Sequence, residues 1–283
     1  MSTIEKALDK IGDRQQQSAS VHSPSKMHSA SKQGSKSTKV TIDLERLSQL
    51  GMLSAANGRS QIAEEYRNIK RPILRNVLSD DDNVALNINL IMVTSAVPGE
   101  GKTFNSVNLA MSIAMELDHT CLLVDADVAR PSVMKTLGLS RSKKGLVDYL
   151  LSHDRDLSEY LLSTNIPKLT ILPSGKAYTH ATELLASEDM RDLMRDLSER
   201  YHDRIVIFDT PPLLATTESR VLATLMGQVI MVVEAERTQK ATVKQALSLL
   251  DDKQNVSLIL NKNRKEGGHD YYYYGYAAKD QND

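Results

Sequence analysis

Residues 90–103 read Leu-Ile-Met-Val-Thr-Ser-Ala-Val-Pro-Gly-Glu-Gly-Lys-Thr, and they constrain the fold more than any other stretch. An apolar, β-prone run enters a loop with two glycines. A Lys-Thr pair comes next, then a helical pattern through Leu109, Ile113 and Leu117. Strand, glycine-rich loop and helix in that order are the context of a phosphate-binding P-loop. Such a loop turns backbone N–H groups inward and makes a nest for phosphate oxygens. Gly99 and Gly101 allow close approach, because a Cβ there would collide with the phosphates. Lys102 is placed to reach the β- and γ-phosphates, and Thr103 to ligate Mg²⁺. The succeeding helix aims its N-terminal dipole at the same anion. The usual opening glycine is replaced by Ala96, the smallest substitute. Pro98, Gly99, Glu100, Gly101, Lys102, Thr103 and Phe104 are the candidate nucleotide-binding segment.

A chain of 283 residues holds one large α/β domain or two small ones, and 41% apolar content is enough for a sizeable core. A net charge of −1 gives no global pull toward nucleic acid, so none is expected as a partner. The single cysteine, Cys121, lies in an apolar strand pattern and reads as a core residue in a reducing compartment. No apolar run approaches the length of a bilayer-spanning helix. The N-terminal residues lack the apolar region of a secretory signal. A cytoplasmic location is expected, with any membrane contact made through a partner.

Taken in order, residues 3–11 place Ile4, Ala7, Leu8 and Ile11 at helical spacing. Residues 12–39 are serine-rich and nearly free of large apolar groups, which reads as a disordered linker. It is either a frayed terminus or the tether of a docking peptide. Residues 40–58 suggest a short element packing on the main domain. Ser60 to Leu78 is a helix candidate with Ser60 as its N-cap, and Pro72 is expected to kink it or end its first half. Glu64, Arg67, Lys70 and Arg71 form its charged face. Strands are expected near 88–95, 120–126, 168–173, 204–210, 228–234 and 256–261. Helical patterns lie near 103–117, 131–137, 145–151, 181–200, 217–226 and 238–251. Continuous apolar strands alternating with helices predict an α/β fold: a doubly wound, mainly parallel sheet spanning residues 40–261. The tail, 262–283, loses the apolar pattern and reads as flexible. It holds Tyr271, Tyr272, Tyr273, Tyr274 and Tyr276, five of the ten tyrosines.

Phosphate chemistry needs more than a P-loop. Two strand ends supply carboxylates. Asp125-Ala126-Asp127 closes one buried strand, and Asp209 ends another in Ile207-Phe208-Asp209-Thr210-Pro211-Pro212. Ligands bind at the carboxyl ends of strands in open α/β sheets. Each aspartate alone reads equally well as a turn residue or helix cap. Three at two strand ends, beside a P-loop, point to a site.

Together, the P-loop, the Asp-Ala-Asp strand end, the Phe-Asp-Thr-Pro-Pro strand end and the tyrosine cluster resemble the bacterial P-loop tyrosine kinases of polysaccharide synthesis and export. The resemblance covers about residues 40–276. The Asp-Val-Ala-Arg-Pro form, the Lys-Arg-Pro helix and the N-terminal Ile-Glu-Lys-Ala-Leu resemble the exosortase-associated branch. The resemblance implies a role for each site residue. Lys102 neutralises the transferring phosphoryl group. Thr103, Asp127 and Asp209 serve Mg²⁺. Asp125 is the candidate base or orienting group, and ATP is the donor. The five tail tyrosines are the phosphoacceptors, reached in trans between subunits. The family's Glu-x-x-Arg-x-x-Arg helix lines subunit contacts in ring-shaped homo-oligomers. Here it reads Glu64, Arg67, Lys70, and lysine lacks the planar fork of arginine. A separate membrane-spanning activator of the polysaccharide chain-length type is implied, recruiting the chain to the inner face of the cell membrane. The rival reading is a nucleotide-dependent switch of the partitioning or cell-division-site type, which phosphorylates nothing. Those ATPases carry an extra lysine early in the P-loop, where this chain has Ser95-Ala96-Val97-Pro98.

Overall fold

The computed structural model describes residues 38–54, 60–78, 87–152, 156–199, 204–252 and 254–263. The described chain begins with β1 (Thr38–Val40), α1 (Leu44–Gln49) and the long α2 (Gln61–Val77). Next come β2 (Leu90–Ser95), α3 (Lys102–Ala114), β3 (Thr120–Asp125), α4 (Val133–Thr136) and α5 (Leu146–Leu150). A 3-10 turn at Leu157–Glu159 leads to β4 (Leu162–Thr164) and β5 (Leu169–Leu172). The order closes with α6 (Ala181–Leu185), α7 (Glu188–Glu199), β6 (Arg204–Asp209), α8 (Glu218–Thr224), β7 (Gln228–Glu234), α9 (Lys240–Leu247) and β8 (Asn255–Asn261).

The strands form one sheet in the order β1-β4-β5-β3-β6-β2-β7-β8. Every neighbouring pair is parallel except β4 with β5. The apolar runs are continuous because both faces are covered. On β2, Ile91 and Val93 join one core layer while Leu90 and Met92 join the other. β6 divides in the same way, with Ile205 and Ile207 against Val206 and Phe208. The first layer takes its helical residues from α1 to α4, and the second from α5 to α9. Each fully buried Leu, Ile, Val or Phe side chain is worth roughly 1.5–3 kcal/mol of transfer free energy.

This topology sets up the site. The chain leaves β2, passes over β6 to reach β3, and returns later to fill the gap. Asp209 on β6 is in register with Val93 on β2 and with Asp125 on β3. The carboxyl ends of β2, β6 and β3 therefore lie side by side.

Several expectations are refined. β1 and β4 are additional strands, and β1 spans the expected boundary between residues 39 and 40. The stretch 181–200 is two helices, α6 and α7, because Ser187 takes up local backbone groups. Its Oγ donates to Leu184 O (2.7 Å) and accepts from Met190 N (3.3 Å). α2 does begin at a Ser60 cap, whose Oγ accepts from Ala63 N. It does not end at Pro72 but runs on to Val77. Among the described residues no helix is long and apolar enough to cross a membrane. The N-terminal helix over 3–11, the linker up to residue 37 and the tyrosines of 271–276 lie outside the described residues.

Candidate nucleotide site

The loop between β2 and α3 is held in place from several directions. Gly99 and Gly101 have φ of 91° and 96°, the left-handed region that glycine adopts at least cost. Gly101 is the N-cap of α3, so the backbone donors of the first helical turn face the loop's interior. A Cβ on Gly101 would come within 2.1 Å of Asn261 Nδ2. Asn261, at the end of β8, donates to Glu100 O (2.8 Å), and Lys262 Nζ donates to Gly99 O (2.7 Å). From α2, Tyr66 Oη donates to Asn105 Oδ1 (2.9 Å), and Asn105 Nδ2 donates to Gly101 O (2.9 Å).

Glu100 is part of this brace. Its side chain is 1% exposed and does not line the phosphate cavity. Oε2 accepts from Val97 N (2.9 Å), while Oε1 accepts from Glu234 N (3.2 Å) and Thr238 Oγ1 (2.5 Å). The carboxylate thus ties the loop to the end of β7. Within the candidate nucleotide-binding segment, its side chain supports the loop from behind.

Lys102, the first residue of α3, is only 9% exposed. Its ammonium has no hydrogen-bond or ion-pair partner among the described residues. A nearly buried ammonium whose donors are all unused is a site for an anion, although Asp127 and Asp209 lie near enough to feel its charge. It lines a cavity of about 500 Å³ together with Gly99, Gly101, Thr103, Asp127 and Arg130. Pro98 and Phe104 also line it.

The hydroxyl of Thr103 donates to Asp209 Oδ2 (2.6 Å) and lies 2.6 Å from Ser132 Oγ. Ser106 Oγ is 3.0 Å from Asp209 Oδ1. Burial raises the Asp209 carboxyl to about 6, against the pull of Thr103, Lys102 and Ser106. Asp127 accepts from Arg130 N (3.1 Å) and faces the same cavity. Burial raises its pKa too, and Lys102 opposes the rise. Asp125 is different. Its Oδ2 accepts from Val133 N (3.1 Å), while Oδ1 is buried without a partner. Burial first, and Asp209 second, push its pKa well above the ordinary carboxylate range. Asp125 opens onto a second, smaller cavity rather than the main one.

Among the described residues there is no cluster of three or more carboxylate, imidazole or thiolate groups that could hold a metal ion. Magnesium does not need one. It takes one or two carboxylates, keeps several waters and completes its shell with substrate phosphates. Thr103 and Asp127 line the cavity, and Asp209 stands behind Thr103 through its hydroxyl hydrogen bond, an oxygen set that fits that demand.

The charged face of α2 divides. Glu64 and Arg67 pair with each other at the surface. Lys70 does not share that face: it is 6% exposed, donates to Ser112 O (2.8 Å) and pairs with Glu116 (2.5 Å). It is thereby engaged within its own chain at the end of α3, a correction to its expected place on a subunit contact.

Sequence reasoning missed Ser106, Ser132, Thr238, Asn261 and Lys262. Ser106 carried a signal, since its spacing of four from Lys102 puts it one helical turn along. The others depend on contacts between distant segments.

Fold and site together define a P-loop nucleotide-binding protein of the parallel α/β class. Residues 88–263 match the AAA domain family. Tyrosine-protein kinase YwqD of Bacillus subtilis is 30% identical, over 80% of this chain and 92% of that one. Tyrosine-protein kinase ptk of Acinetobacter johnsonii is 29% identical, over 72% of this chain but only 26% of that one. The kinase domain of Escherichia coli tyrosine kinase ETK superposes with a TM-score of 0.65 at 27% identity, covering 85% of this chain and 95% of that domain. The chain belongs to the bacterial tyrosine-protein kinase family with an AAA-type P-loop domain.

Proposed function

We propose that this chain is an ATP- and Mg²⁺-dependent protein-tyrosine autokinase whose acceptors are Tyr271, Tyr272, Tyr273, Tyr274 and Tyr276 of another copy. The observation that carries the reading is Lys102, a nearly buried ammonium in a braced P-loop with no hydrogen-bond or ion-pair partner among the described residues. The family membership supplies the reaction class. In the reading, Lys102 and the backbone donors of residues 99–103 hold the β- and γ-phosphates. Thr103, Asp127 and Asp209 would hold Mg²⁺, which would supply neutralisation of the phosphate charge. The tyrosine oxygen attacks the γ-phosphorus, the bond to the β–γ bridging oxygen breaks, and ADP leaves with that electron pair. The phenolic proton passes to Asp125. Burial, and Asp209 beside it, make the Asp125 carboxylate more basic than an ordinary one, which favours its taking up that proton. Most of the acceleration would come from positioning and charge stabilisation.

The output proposed is control of exopolysaccharide synthesis or export. Each phosphate adds nearly two negative charges, and several on adjacent tyrosines repel one another and any acidic surface nearby. Glu64 and Arg67 are proposed to contribute to a homo-oligomer contact. The matched region is nearly the whole of YwqD and about a quarter of ptk, so the domain occurs both alone and within longer chains. A separate membrane-spanning activator of the chain-length type is proposed to draw the kinase to the inner face of the membrane.

The test replaces all five tail tyrosines by phenylalanine, which removes each hydroxyl and keeps each ring. Purified parent and variant are incubated with ATP and Mg²⁺ and analysed by mass spectrometry. Self-labelling is expected in the parent and close to none in the variant, with ATP binding retained. An unlabelled parent, with nucleotide-dependent partner binding that survives the five changes, would instead establish a switch. Label chiefly on Tyr149, Tyr160 or Tyr201 would keep the kinase and refute the acceptor.

A further inference from the structure

The phosphate site leaves one neighbouring cavity without a task. The two adjoin at the turn after β3: Ser132 lines the first cavity, while Pro131 and Met134 line the second. The second measures about 180 Å³. Pockets for small-molecule ligands run from ~300 to ~1,000 Å³, so this one has room for a single side chain and not for a nucleotide. Its walls are amphipathic. Pro131, Met134, Leu139 and Pro173 supply apolar surface, and Asp125 lies among them. Asp125 Oδ1 is the one carboxylate oxygen among the described residues that is buried without a hydrogen-bond partner. Such orphans are rare in folded proteins and mark a missing donor.

The rim carries the second observation. Lys135 and Arg141 both line this cavity and both are exposed. Neither side chain has a hydrogen bond or an ion pair among the described residues. Nearby cations are engaged, Lys144 with Glu159 and Lys176 with Asp148, whereas these two stand open at the cavity's edge. Two unpaired cations beside an amphipathic, side-chain-sized cavity form a surface for a hydroxyl-bearing apolar side chain with negative charge next to it.

The tail has that chemistry once phosphorylation has begun. Asp270 precedes Tyr271, and four tyrosines succeed one another without a break. After one transfer, every remaining acceptor in 271–274 stands beside or near a phosphate carrying about −1.5 to −2 charge. We propose that Lys135 and Arg141 read this charge, so that the kinase prefers acceptor tyrosines flanked by an acidic or already phosphorylated residue. The cavity beside Asp125 receives the acceptor's ring, and the basic rim holds its anionic neighbour. Arginine is the better reader, because its planar fork bonds a phosphate in two places. Each transfer would then raise the rate of the next on the same tail, and the first would favour Tyr271 beside Asp270. This inference rests on the proposed tail kinase, and its test separates the two.

Two synthetic peptides spanning residues 268–278 serve as acceptors for the full chain with ATP and Mg²⁺. One is unmodified and one carries phosphate on Tyr272. The parent is expected to favour the phosphopeptide by about fivefold in kcat/KM, which at 1.4 kcal/mol per decade is about 1 kcal/mol, the scale of exposed charge pairs. The preference should shrink as salt rises. In the Lys135→Ala, Arg141→Ala double variant the ratio is expected to fall to about one, and Arg141→Lys alone should keep part of it. A merely structural role would slow both peptides alike and leave the ratio in place. A parent that shows no preference, or a double variant that keeps it, overturns the inference while leaving the kinase intact. A parent that labels neither peptide nor its own tail overturns the kinase reading itself.

Discussion

The role of Glu100 as a brace gives a prediction that separates support from ligand contact. Consider Glu100→Gln, which keeps the size and removes the charge. The carboxylate accepts from three donors: Val97 N at 2.9 Å, Glu234 N at 3.2 Å and Thr238 Oγ1 at 2.5 Å. A glutamine amide has one acceptor oxygen and one donor nitrogen. If the oxygen faces β7, the NH₂ is driven against Val97 N. If it is flipped, the NH₂ meets Glu234 N, and only the Thr238 hydroxyl can rotate to accept. Either way one buried backbone donor loses its partner. A hydrogen bond to a charged group is worth about 1.5–3 kcal/mol, and relief of burying a charge returns part of that, leaving a loss of about 2 kcal/mol. If the whole loss is felt as opening of the loop, ATP affinity falls by at most about 30-fold, since only the braced fraction binds. Urea unfolding and calorimetric ATP titration measure the two quantities. A side chain that touched nucleotide would lose affinity without losing stability. A variant within about 0.5 kcal/mol of the parent, with parental ATP affinity, would refute the brace altogether.

The same geometry gives three further outcomes. Lys102→Met should abolish phosphotyrosine formation while leaving the chain folded, because the ammonium makes no hydrogen bond or ion pair with the described residues; undiminished label or loss of the folded state would contradict this. Burial raises Asp209 from 3.8 to about 6, so the folded chain holds that proton more tightly than the unfolded chain does. The associated stability is fully present below about pH 4 and is lost as pH rises through about 6, on the order of 3 kcal/mol in protein free of metal and nucleotide. Asp209→Asn should flatten that slope in urea midpoints compared at about pH 4.5 and about pH 7.5 with chelator present, and parallel slopes would show that Asp209 is not the group responsible. Changing Glu64 and Arg67 together to alanine should reduce oligomer mass in light scattering, provided the parent oligomerises, and an unchanged mass would mark the pair as a solvated surface contact.

Much of the site was legible because its signals are local. β2, β3, β6 and β7 are apolar along their whole length since helices cover both faces, and the strand ends that carry Asp125 and Asp209 are set by that pattern. The two loop glycines stand where φ is positive. What stayed hidden depends on distant partners. β1 and β4 are three residues each and gain their ladders from each other and from β5. Lys70 misled for a geometric reason. At 3.6 residues per turn, six positions rotate a side chain by roughly 240°, so Lys70 stands about 120° around the helix from Glu64. That places it on the buried stripe with Ala63, Tyr66 and Ile73. There its ammonium meets a carbonyl of the last turn of α3, where the helix dipole favours a cation.

The same contrast explains why the P-loop needs so many supports. The loop asks for two left-handed residues, an ammonium without a hydrogen-bond acceptor and three buried carboxylates within a few strand ends of each other. Each of these is unfavourable in the nucleotide-free chain, and the raised pKa values of Asp125, Asp127 and Asp209 express that cost directly. The interactions that offset it come from outside the phosphate cavity: Tyr66 through Asn105, Glu100 to the end of β7, and Asn261 with Lys262 from the end of β8. The last pair has a consequence for the tail. The chain that leads to the tyrosines departs from residues that grip the P-loop itself, so displacement of the loop must be felt at the root of the tail, and a pull on the tail must be felt at the loop. Loss of Asn261 or Lys262 should for that reason disturb ATP binding and tail phosphorylation together, which a tail tethered anywhere else on the domain would not require.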